Sequence, residues 1–386
     1  MIYIPYYSPK KKLKSWIPLE KIDEKAIQQI DNLSTLPDIF KWIAIMPDVH
    51  PGFGMPIGGV LALRENIIPN AVGVDIGCGV VSVKTSLKTE TVKPVLKELL
   101  NEIMKKIPLG HNWRKSPLVS SLFDEVIEDR TIQKELKNAE KQLGTLGGGN
   151  HFIEIQQDEE DIVYLTLHTG SRNLGNKVAS AYHKLAKRYC KINNIDVPSG
   201  LDYFPYKSTE GSSYLKAMNF CVRFASENRQ KIADIVLNIM DAHVNNLEER
   251  ERIETIHNYA QLENHFNKQV MVHRKGAVEA KRKVIIPGSM GTATYICEGL
   301  ENPDAFRSCS HGAGRVMGRN EAKKKLRYED IMKDLEKRNL IVVSPSKKSI
   351  VEEARQVYKN IEEVMDYQRD LARPIVKLTP LGVVKG

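Results

Sequence analysis

The 386-residue sequence has no uninterrupted apolar run of the roughly 18 residues that cross a bilayer. Its first residues, MIYIPYYSPKKKLK, lack the basic and apolar regions of a secretory signal. Cysteines are few, odd in number and scattered, which argues against a disulfide framework and indicates reduced thiols; they are Cys78, Cys190, Cys221, Cys297 and Cys309. We therefore expect a cytoplasmic protein without a membrane segment.

Three familiar nucleotide-binding motifs are also missing from the sequence. There is no GxxxxGK[ST] phosphate loop, and the glycine-rich segments do not follow the strand, GxGxxG, helix order of a dinucleotide fold. The KxDG pattern that supplies the lysine nucleophile of many nucleotidyl-transferring ligases is absent as well. If the protein binds a nucleotide covalently, the sequence predicts that a histidine carries it.

Hydrophobic residues (41%) and charged residues (27%) are present in the proportions of an ordinary globular protein. The 57 Lys and Arg exceed the 48 Asp and Glu and give a net charge of +9, which favours polyanions such as nucleic acid. Two small basic clusters contribute to this positive charge, and each by itself is typical of a solvent-exposed surface. The clusters are Lys10, Lys11, Lys12 and Lys14, and Lys323, Lys324, Lys325 and Arg327.

The chain length alone suggests about two or three domains, but no linker or internal repeat divides the sequence, so we expect one domain over residues 1–386. Helical periodicity predicts helices at 91–106, 132–143, 174–192, 213–244, 321–338 and 350–371. Short β-branched runs predict strands at 162–167, 284–287, 292–297 and 340–344. The irregular order of these elements indicates an α+β fold.

The glycines collect in short blocks that also hold most of the histidines. Glycine lets backbone approach a ligand closely, so such blocks are typical of the lining of one site. The blocks are MPDVHPGFGMPIGGV (46–60), VGVDIGCGV (72–80), LGTLGGGNHFIEI (143–155), LHTGSRNLG (167–175), PGSMGT (287–292) and SHGAGR (310–315).

Five residues in these blocks and beyond have the chemistry of metal ligands. Asp75 and Cys78 stand among glycines and can turn a carboxylate and a thiolate to one point, which suits a transition metal. His151 follows a triple glycine, His168 ends a predicted strand, and His257 is expected to follow a charged helix. Taken singly, each is equally well explained as a buried cysteine, a turn aspartate or a core histidine. Together they predict two metal ions, with Cys78 able to bridge them.

The SHGAGR block has a different character. His311 stands among small residues and beside Arg315, and a neutral imidazole is a competent nucleophile toward phosphorus when a cation offsets the phosphate charge. A further metal ligand or a structural histidine is the alternative. HRKGA (273–277) and SRNLG (171–175) add His273, Arg274, Lys275 and Arg172 as candidate phosphate clamps, or as surface ion pairs.

Taken in order, these blocks together with IHNY (256–259), HRKGA and the terminal LGVVKG resemble the RtcB family of RNA ligases over nearly the whole chain. The resemblance implies a single α+β domain with mixed sheets, surrounding helices and a central site. It also implies a GTP- and Mn²⁺-dependent enzyme that joins an RNA 2′,3′-cyclic phosphate or 3′-phosphate end to a 5′-hydroxyl end, with roles in tRNA splicing or RNA repair. An activating protein partner, and a monomer or homodimer, are compatible with it.

Carried onto this sequence, the resemblance implies that Asp75, Cys78, His151, His168 and His257 hold two Mn²⁺ ions, and that His311 becomes guanylylated. Arg172, Lys275 and Arg315 are implied to hold phosphates or orient the nucleophile. Glu154 and Lys385 are implied to select guanine, and Phe152 and Tyr358 to stack on the base or belong to the core. The implied GTP site is completed by Asn150, Ser289, Ala313 and Gly314. We expect Asp48 to orient a ligand histidine or to cap a turn.

The chain is somewhat short for this family, and we expect residues 112–141 to be where length is lost, which affects the RNA-binding surface. Two other functions remain open from the residues. One is a metal-dependent phosphoesterase that opens cyclic phosphates without ligation, since two metals and arginines suffice for hydrolysis. The other is an RNA-binding protein with a structural metal, which predicts closed four-coordinate metal and no covalent nucleotide.

Overall fold

The computed structural model describes residues 5–386. The strands of this part are β1 (Tyr6–Ser8), β2 (Leu13–Ser15), β3 (Ile39–Phe53), β4 (Met55–Leu63), β5 (Asn66–Ile67), β6 (Gly79–Lys88), β7 (Phe152–Gln157), β8 (Ile162–Thr169), β9 (Phe204–Pro205), β10 (Glu249–Ile256), β11 (Asn258–His265), β12 (Lys268–Lys275), β13 (Ala277–Glu279), β14 (Lys283–Pro287), β15 (Thr294–Gly299), β16 (Ser308–Ser310), β17 (Ile341–Val343) and β18 (Ala372–Lys385).

Ten α-helices occur in the same described residues: α1 (Glu24–Ser34), α2 (Thr89–Val92), α3 (Leu96–Lys106), α4 (Arg130–Gln142), α5 (Arg172–Ile192), α6 (Thr209–Val244), α7 (Arg319–Lys325), α8 (Tyr328–Lys337), α9 (Lys347–Glu352) and α10 (Ile361–Tyr367). Within residues 5–386, no helix has both the length and the hydropathy that a membrane crossing requires. The α+β fold class predicted from the sequence is therefore confirmed.

The strands form two large sheets. One has six strands in the order β1-β2-β3-β4-β12-β11, and the other follows the path β10-β6-β8-β7-β18-β15-β14, with β17 added beside β18. Pairs in both sheets are mainly antiparallel, but β2 runs parallel to β3 and β17 parallel to β18. Both large sheets are therefore mixed, as the sequence resemblance implies.

Helices α3 and α6 cover one face of the eight-stranded sheet. The buried positions of α3 are Leu96, Leu99, Leu100 and Ile103, the spacing of one helical face. They belong to the same apolar cluster as Val236 of α6 and strand residues of β6, β7 and β8. This packing leaves the ends of β6, β7 and β8 free to build a site at the sheet's edge.

Two long predicted helices are wrong because the chain turns inside them. The 321–338 helix breaks into α7 and α8, since Leu326 and Arg327 adopt extended backbone; the break lets apolar residues of both helices pack into one cluster. The 350–371 helix breaks into α9, a 3-10 turn and α10. There the backbone at Tyr358 pairs with Arg315, and the Lys359 N–H donates to the Gly314 carbonyl. Tertiary hydrogen bonds thus replace helical ones.

The charged helix expected before His257 is also wrong, because the ERERIETI segment forms strand β10. This strand is the edge of its sheet and pairs only with β6 in the described order. Its charged side chains are partly exposed, as on many edge strands, where charge prevents association with other chains. In the sequence alone, the alternating charges of this edge strand were therefore mistaken for those of a solvent-exposed helix.

A buried ion pair joins β11 to β12. Arg274 is fully buried and donates to both carboxylate oxygens of Glu263, to the Ser308 hydroxyl and to the Phe306 carbonyl. His265 lies 2.8 Å from the same carboxylate. Burial alone would raise the pKa of Glu263, but these partners outweigh it and lower the pKa to about 2. Arg274 is therefore a structural residue here and not a phosphate clamp.

We expect Glu263→Gln to lower the free energy of unfolding by about 3 kcal/mol at pH 7, because one pKa unit corresponds to about 1.4 kcal/mol. A depressed carboxylate pKa stabilises the fold above about pH 4.5, and that contribution is lost as the pH falls toward about 2. Urea unfolding at pH 7 and near pH 3 measures this. The difference in unfolding free energy between wild type and variant should be smaller at the lower pH. Glu251→Gln, which breaks the exposed ion pair with Lys283, is the control and should change the unfolding free energy little. A difference of equal size at both pH values contradicts this account.

Candidate functional site

One cavity of about 490 Å³ receives side chains from both large sheets. This volume is in the range of small-molecule sites. Fifteen of the predicted site residues line it, namely Asp75, Cys78, Asn150, Phe152, Glu154, His168, His257, Lys275, Ser289, His311, Ala313, Gly314, Arg315, Tyr358 and Lys385. Asp48, His151, Arg172, His273 and Arg274 do not line it.

Strand register explains why the distant candidate ligands meet. Gly79 at the start of β6 pairs with Ile256 on one side and with Thr169 on the other. Cys78 precedes Gly79, His257 follows Ile256, and His168 precedes Thr169. The three residues therefore reach the same end of the sheet, and Phe152 pairs with His168 to bring the neighbouring His151 there as well.

The five candidate ligands form two groups that share Cys78. One group is Asp75, Cys78 and His151, the other is Cys78, His168 and His257, and within each the ligand atoms lie within 4.8 Å of one another. The Cys78 Sγ lies 3.1 Å from His168 Nε2 and 3.6 Å from His151 Nε2. His151 Nε2 lies 3.1 Å from Asp75 Oδ2, and His168 Nε2 lies 3.3 Å from His257 Nε2.

Hydrogen bonds behind the rings prepare two histidines for a cation. His151 Nδ1 lies 2.9 Å from the Leu146 carbonyl, and His168 Nδ1 lies 3.2 Å from the Asn150 carbonyl. A carbonyl can only accept, so both Nδ1 atoms carry the proton and both Nε2 atoms present a lone pair. Carboxylate, thiolate and imidazole donors converging in this way fit a pair of divalent transition metals.

Electrostatics at this cluster also favours a cation. Burial lowers the pKa of His168 and of His257 well below the ordinary range, so both rings are neutral. Burial and the Asp75 carboxylate raise the pKa of the Cys78 thiol well above its usual value. A bound cation reverses that last effect, because coordination deprotonates a thiol.

Glycine backbone creates the space for Asp75. A Cβ at Gly170 would lie 2.2 Å from Asp75 Oδ1, closer than any side chain can approach. The carboxylate instead accepts from the Ser171 N–H at 3.1 Å. The LHTGSR block therefore contributes bare backbone as well as His168.

Asp48 orients a histidine, as expected, but this histidine is His311 and not one of the five candidate ligands. Asp48 lies within β3, fully buried, and its Oδ2 lies 2.6 Å from His311 Nδ1 and accepts from the His311 N–H at 3.0 Å. Gly314 at φ +74° lets this loop approach strand β3, since a Cβ there would be 2.0 Å from the Asp48 carbonyl. The His311 and His257 ring centroids are 4.8 Å apart, so the ring lies beside the ligand cluster.

Lys275 places a buried amine at the cavity wall. Its Nζ donates to the carbonyls of Phe53 at 2.6 Å and Asn70 at 2.9 Å. Burial lowers the pKa of Lys275 to about 7. The neighbouring His273 binds the Ile68 N–H and the Leu61 carbonyl instead of facing the cavity.

The candidate guanine contacts also line the cavity. Burial raises the pKa of Glu154 to about 8, and Gln156 donates to it at 2.5 Å. Lys385 donates to the His151 carbonyl at 3.0 Å, and its Nζ lies 6.0 Å from the Phe152 ring centroid. Ser289 Oγ lies 3.1 Å from Thr292 Oγ1.

Arg315 and Tyr358 form a network with Glu353. Arg315 donates to Glu353 at 3.1 Å, to the Tyr358 hydroxyl at 3.2 Å, and to the carbonyls of Met317 and Glu352. Its guanidinium lies over the Tyr358 ring, 5.1 Å from the centroid. Arg319 also donates to Glu353, at 3.2 Å. These hydrogen bonds therefore fix the orientation of the Arg315 guanidinium at the cavity wall.

Arg172 lies behind the ligand cluster instead of on the cavity. It begins α5 at φ +57° and donates to the Thr145 hydroxyl at 3.2 Å and the Gly110 carbonyl at 2.8 Å. A Cβ at Gly147 would meet its guanidinium at 2.0 Å. Its direct contacts are thus to the loops that precede His151.

Several cavity residues were missed by the sequence reasoning. Asn258 donates to the Asp75 carbonyl and accepts from the Gly276 N–H, which ties two loops together. Asn258 follows the candidate ligand His257, and this position could have indicated that Asn258 lines the cavity. His50 and Phe53 lie in the PDVHPGFG block, which could have indicated them in the same way. Glu353 and Arg319 lie in ordinary charged helical runs and gave no signal. Asn70 also lines the cavity.

The fold and the shared-ligand cluster define an α+β protein with a candidate two-metal centre. Comparison with known families then identifies the group: the model for the tRNA-splicing ligase RtcB matches residues 29–131 and 120–386. The chain is 37% identical over 400 residues to the RNA-splicing ligase RtcB of Escherichia coli K12, covering 97% of both chains. It is 35% identical over 444 residues to the tRNA-splicing ligase RtcB of Methanococcus maripaludis, covering 95% of this chain and 92% of the relative. The chain belongs to the RtcB family.

The alignments also bear on length. Both alignments, over 400 positions with the E. coli relative and 444 with the M. maripaludis relative, are longer than the 386-residue chain, so both contain gaps in this chain. The two segments of the family match overlap at 120–131, inside the 112–141 region where we expect shortening.

Proposed function

We propose that this protein is an RNA ligase that uses GTP and Mn²⁺ to join 2′,3′-cyclic phosphate or 3′-phosphate ends to 5′-hydroxyl ends. The observation that carries the proposal is the Asp48–His311 pair, which presents an imidazole beside two ligand groups that share Cys78. The RNA-ligase names of the family relatives support the substrate class. A role in tRNA splicing or RNA repair is part of the same proposal.

In this proposal His311 is the nucleophile toward GTP. Its Nδ1–H donates to Asp48, so Nε2 carries the lone pair. The Nε2–P bond forms as the bond between the α-phosphorus and the bridging oxygen breaks, and pyrophosphate leaves. The imidazole gains positive charge in this step, and the buried Asp48 carboxylate stabilises it.

Water first opens a 2′,3′-cyclic phosphate to a 3′-phosphate and leaves a free 2′-hydroxyl. The RNA 3′-phosphate then attacks the histidine-bound phosphorus, the bond from that phosphorus to His311 Nε2 breaks, and GMP moves to the RNA end. The 5′-hydroxyl finally attacks the activated RNA phosphate and GMP leaves. Asp75, Cys78 and His151 would hold one Mn²⁺ and Cys78, His168 and His257 the other. Two cations supply charge neutralisation for attacking and leaving oxygens. The choice of Mn²⁺ rests on the family resemblance, since mixed ligands of this type bind Zn²⁺ more tightly.

The remaining polar residues have separate roles in the proposal. Lys275 would place its ammonium near a phosphate. Arg315, held by its hydrogen bond to Glu353, would place its guanidinium near a phosphate as well. Arg172 would position the loops that contain Gly110 and Thr145, to which it donates hydrogen bonds. At the base, Glu154 in its carboxylate form, which the Lys385 charge favours, would accept from the guanine N1 and N2 hydrogens. Lys385 would donate to O6, while Phe152 or Tyr358 stacks. Asn150, Ser289, Ala313 and Gly314 would complete the GTP contacts.

A cytoplasmic location, one catalytic domain over residues 1–386, and a monomer or homodimer are also part of the proposal. The cysteine chemistry supports the compartment, because all five thiols are free and buried. An activating partner protein is compatible with the fold.

The test is a ligation assay with matched RNA ends. We expect the purified protein with Mn²⁺ and GTP to join a 2′,3′-cyclic phosphate end to a 5′-hydroxyl end, and to fail when the acceptor carries a 5′-phosphate. Omitting GTP or substituting ATP should abolish joining. Opening of the cyclic phosphate without joining, under conditions where metal is bound, would favour the phosphoesterase over the ligase.

A further inference from the structure

A cluster of rings and lysines lies on the six-stranded sheet, with Tyr7, Lys41 and Phe266 exposed and Lys14 and Trp42 partly buried; none of these residues lines the cavity. We define the aromatic–lysine surface as Tyr7, Lys14, Lys41, Trp42 and Phe266. The Trp42 ring centroid lies 6.0 Å from that of Tyr7 and 5.7 Å from that of Phe266, both edge-on. Lys14 Nζ lies 3.8 Å from the Trp42 ring and Lys41 Nζ 4.2 Å from the Phe266 ring. Tyr7 is 51% exposed and Phe266 39%.

The backbone is strained at two of these positions. Phe266 and Asn267 connect β11 to β12 with φ +48° and +60°, a two-residue turn that favours Asn or Gly at both places. Lys41 has φ +63° where the pairing of β3 with β4 is irregular. A phenylalanine and a lysine in this conformation cost free energy, and such outliers concentrate at functional sites.

The charge around this surface is positive. The turn that carries Lys10, Lys11 and Lys12 lies against the same strand, because the Ile43 N–H donates to the Lys12 carbonyl. Asp31 pairs with Lys11 and Asp304 with Lys14, each at 2.6 Å. These two carboxylates do not balance the surrounding lysines, which are Lys10, Lys11, Lys12, Lys14 and Lys41.

We propose that the aromatic–lysine surface binds a single-stranded segment of the RNA substrate, remote from the ends being joined. Exposed rings that accept bases, set among lysines that contact phosphates, are the usual platform for single strands. Strand β3 connects the surface to the cavity: Trp42 lies near its start and Phe53 lines the cavity. That stretch of strand spans at most about 40 Å. The inference rests on the proposed RNA-ligase function for the identity of the strand.

The test variant combines Tyr7→Thr, Lys41→Asn and Phe266→Asn. Each replacement suits its backbone, since Asn tolerates positive φ and Thr suits a strand, so the fold is retained. The matched control, Lys191→Gln with Ile192→Thr, removes the same charge and an exposed apolar side chain at the end of α5. Binding is measured by fluorescence anisotropy without GTP or metal, on single-stranded RNAs of about four and about 16 nucleotides.

We expect the test variant to bind the longer RNA about tenfold more weakly or worse, with a smaller salt dependence, and to bind the short RNA as wild type does. Joining of short substrates should be unchanged, because the cavity residues are intact. Equal affinity of wild type, control and test variant for the longer RNA overturns the inference. Because binding is read without chemistry, failure of ligation alone would count against the proposed function and not against this surface.

Discussion

Replacing Cys78 by serine should remove both metal ions from the protein. Both ligand groups include the Cys78 Sγ, whereas every other candidate ligand belongs to one group only. A serine hydroxyl stays protonated near neutral pH and supplies no charge, so each ion loses its shared anionic ligand. We expect the affinity for each ion to fall by at least about 100-fold, the upper end of what loss of an outer contact to a ligand costs.

Metal content of purified protein and titration of metal-free protein with Mn²⁺ measure this effect. His257→Ala should weaken one ion selectively, because His257 belongs to one group. Cys190→Ser is the matched control: Cys190 is buried against the Tyr203 backbone at the end of α5, outside the cluster. A Cys78→Ser protein that still binds two ions with wild-type affinity would show that the cysteine does not bridge.

Asp48→Asn should slow transfer of GMP to the protein by about 10³-fold. The substitution removes the negative charge that stabilises the reacting imidazole, and one amide orientation places an N–H donor against His311 Nδ1. That orientation forces the proton onto Nε2 and removes the lone pair from the cavity. Loss of the orienting carboxylate in catalytic triads has an effect of about 10⁴.

Asp48 acts through His311 and contacts no metal-ligand candidate in these hydrogen bonds, so its effect should be separable from metal loss. We expect Asp48→Asn to retain wild-type Mn²⁺ content and melting temperature while the single-turnover rate falls. Asp304→Asn, at an ion pair with Lys14 outside the cavity, is the control. A parallel loss of metal and rate would assign Asp48 a general structural role instead.

The sequence predicted the fold class and helices α3 to α6 because their apolar periodicity is local, but it missed α1. It also missed most strands, including the long strands β3, β4, β6, β7, β11, β12 and β18. In β3, β4 and β18 the glycines and prolines resemble loops, and the pairing partners are distant in the chain. The PDVHPGFG block illustrates this: its two prolines and two glycines gave no strand signal, yet all but its last residue form the end of a 15-residue strand. Tertiary pairing overrides local propensity at such segments.

The candidate site was predictable in its membership but not in its arrangement. Residue chemistry identified His311 and the five ligand candidates, and the strand registers around Gly79 bring the ligands together. Nothing local in the sequence indicated that Asp48 contacts His311, or that Glu353 holds Arg315, because both contacts join segments far apart in the chain. Arg172 looked like a phosphate clamp for the same reason: its partners Thr145 and Gly110 are visible only in the fold.

The central claim is that His311 accepts GMP covalently, and labelling with α-labelled GTP tests it most directly. The protein is incubated with Mn²⁺ and either GTP or ATP, and the products are separated on a denaturing gel. The account predicts acid-labile label from GTP alone, absent in His311→Ala and strongly reduced in Asp48→Asn. Label that persists in His311→Ala, or no label on a folded protein that holds its metal, would contradict it.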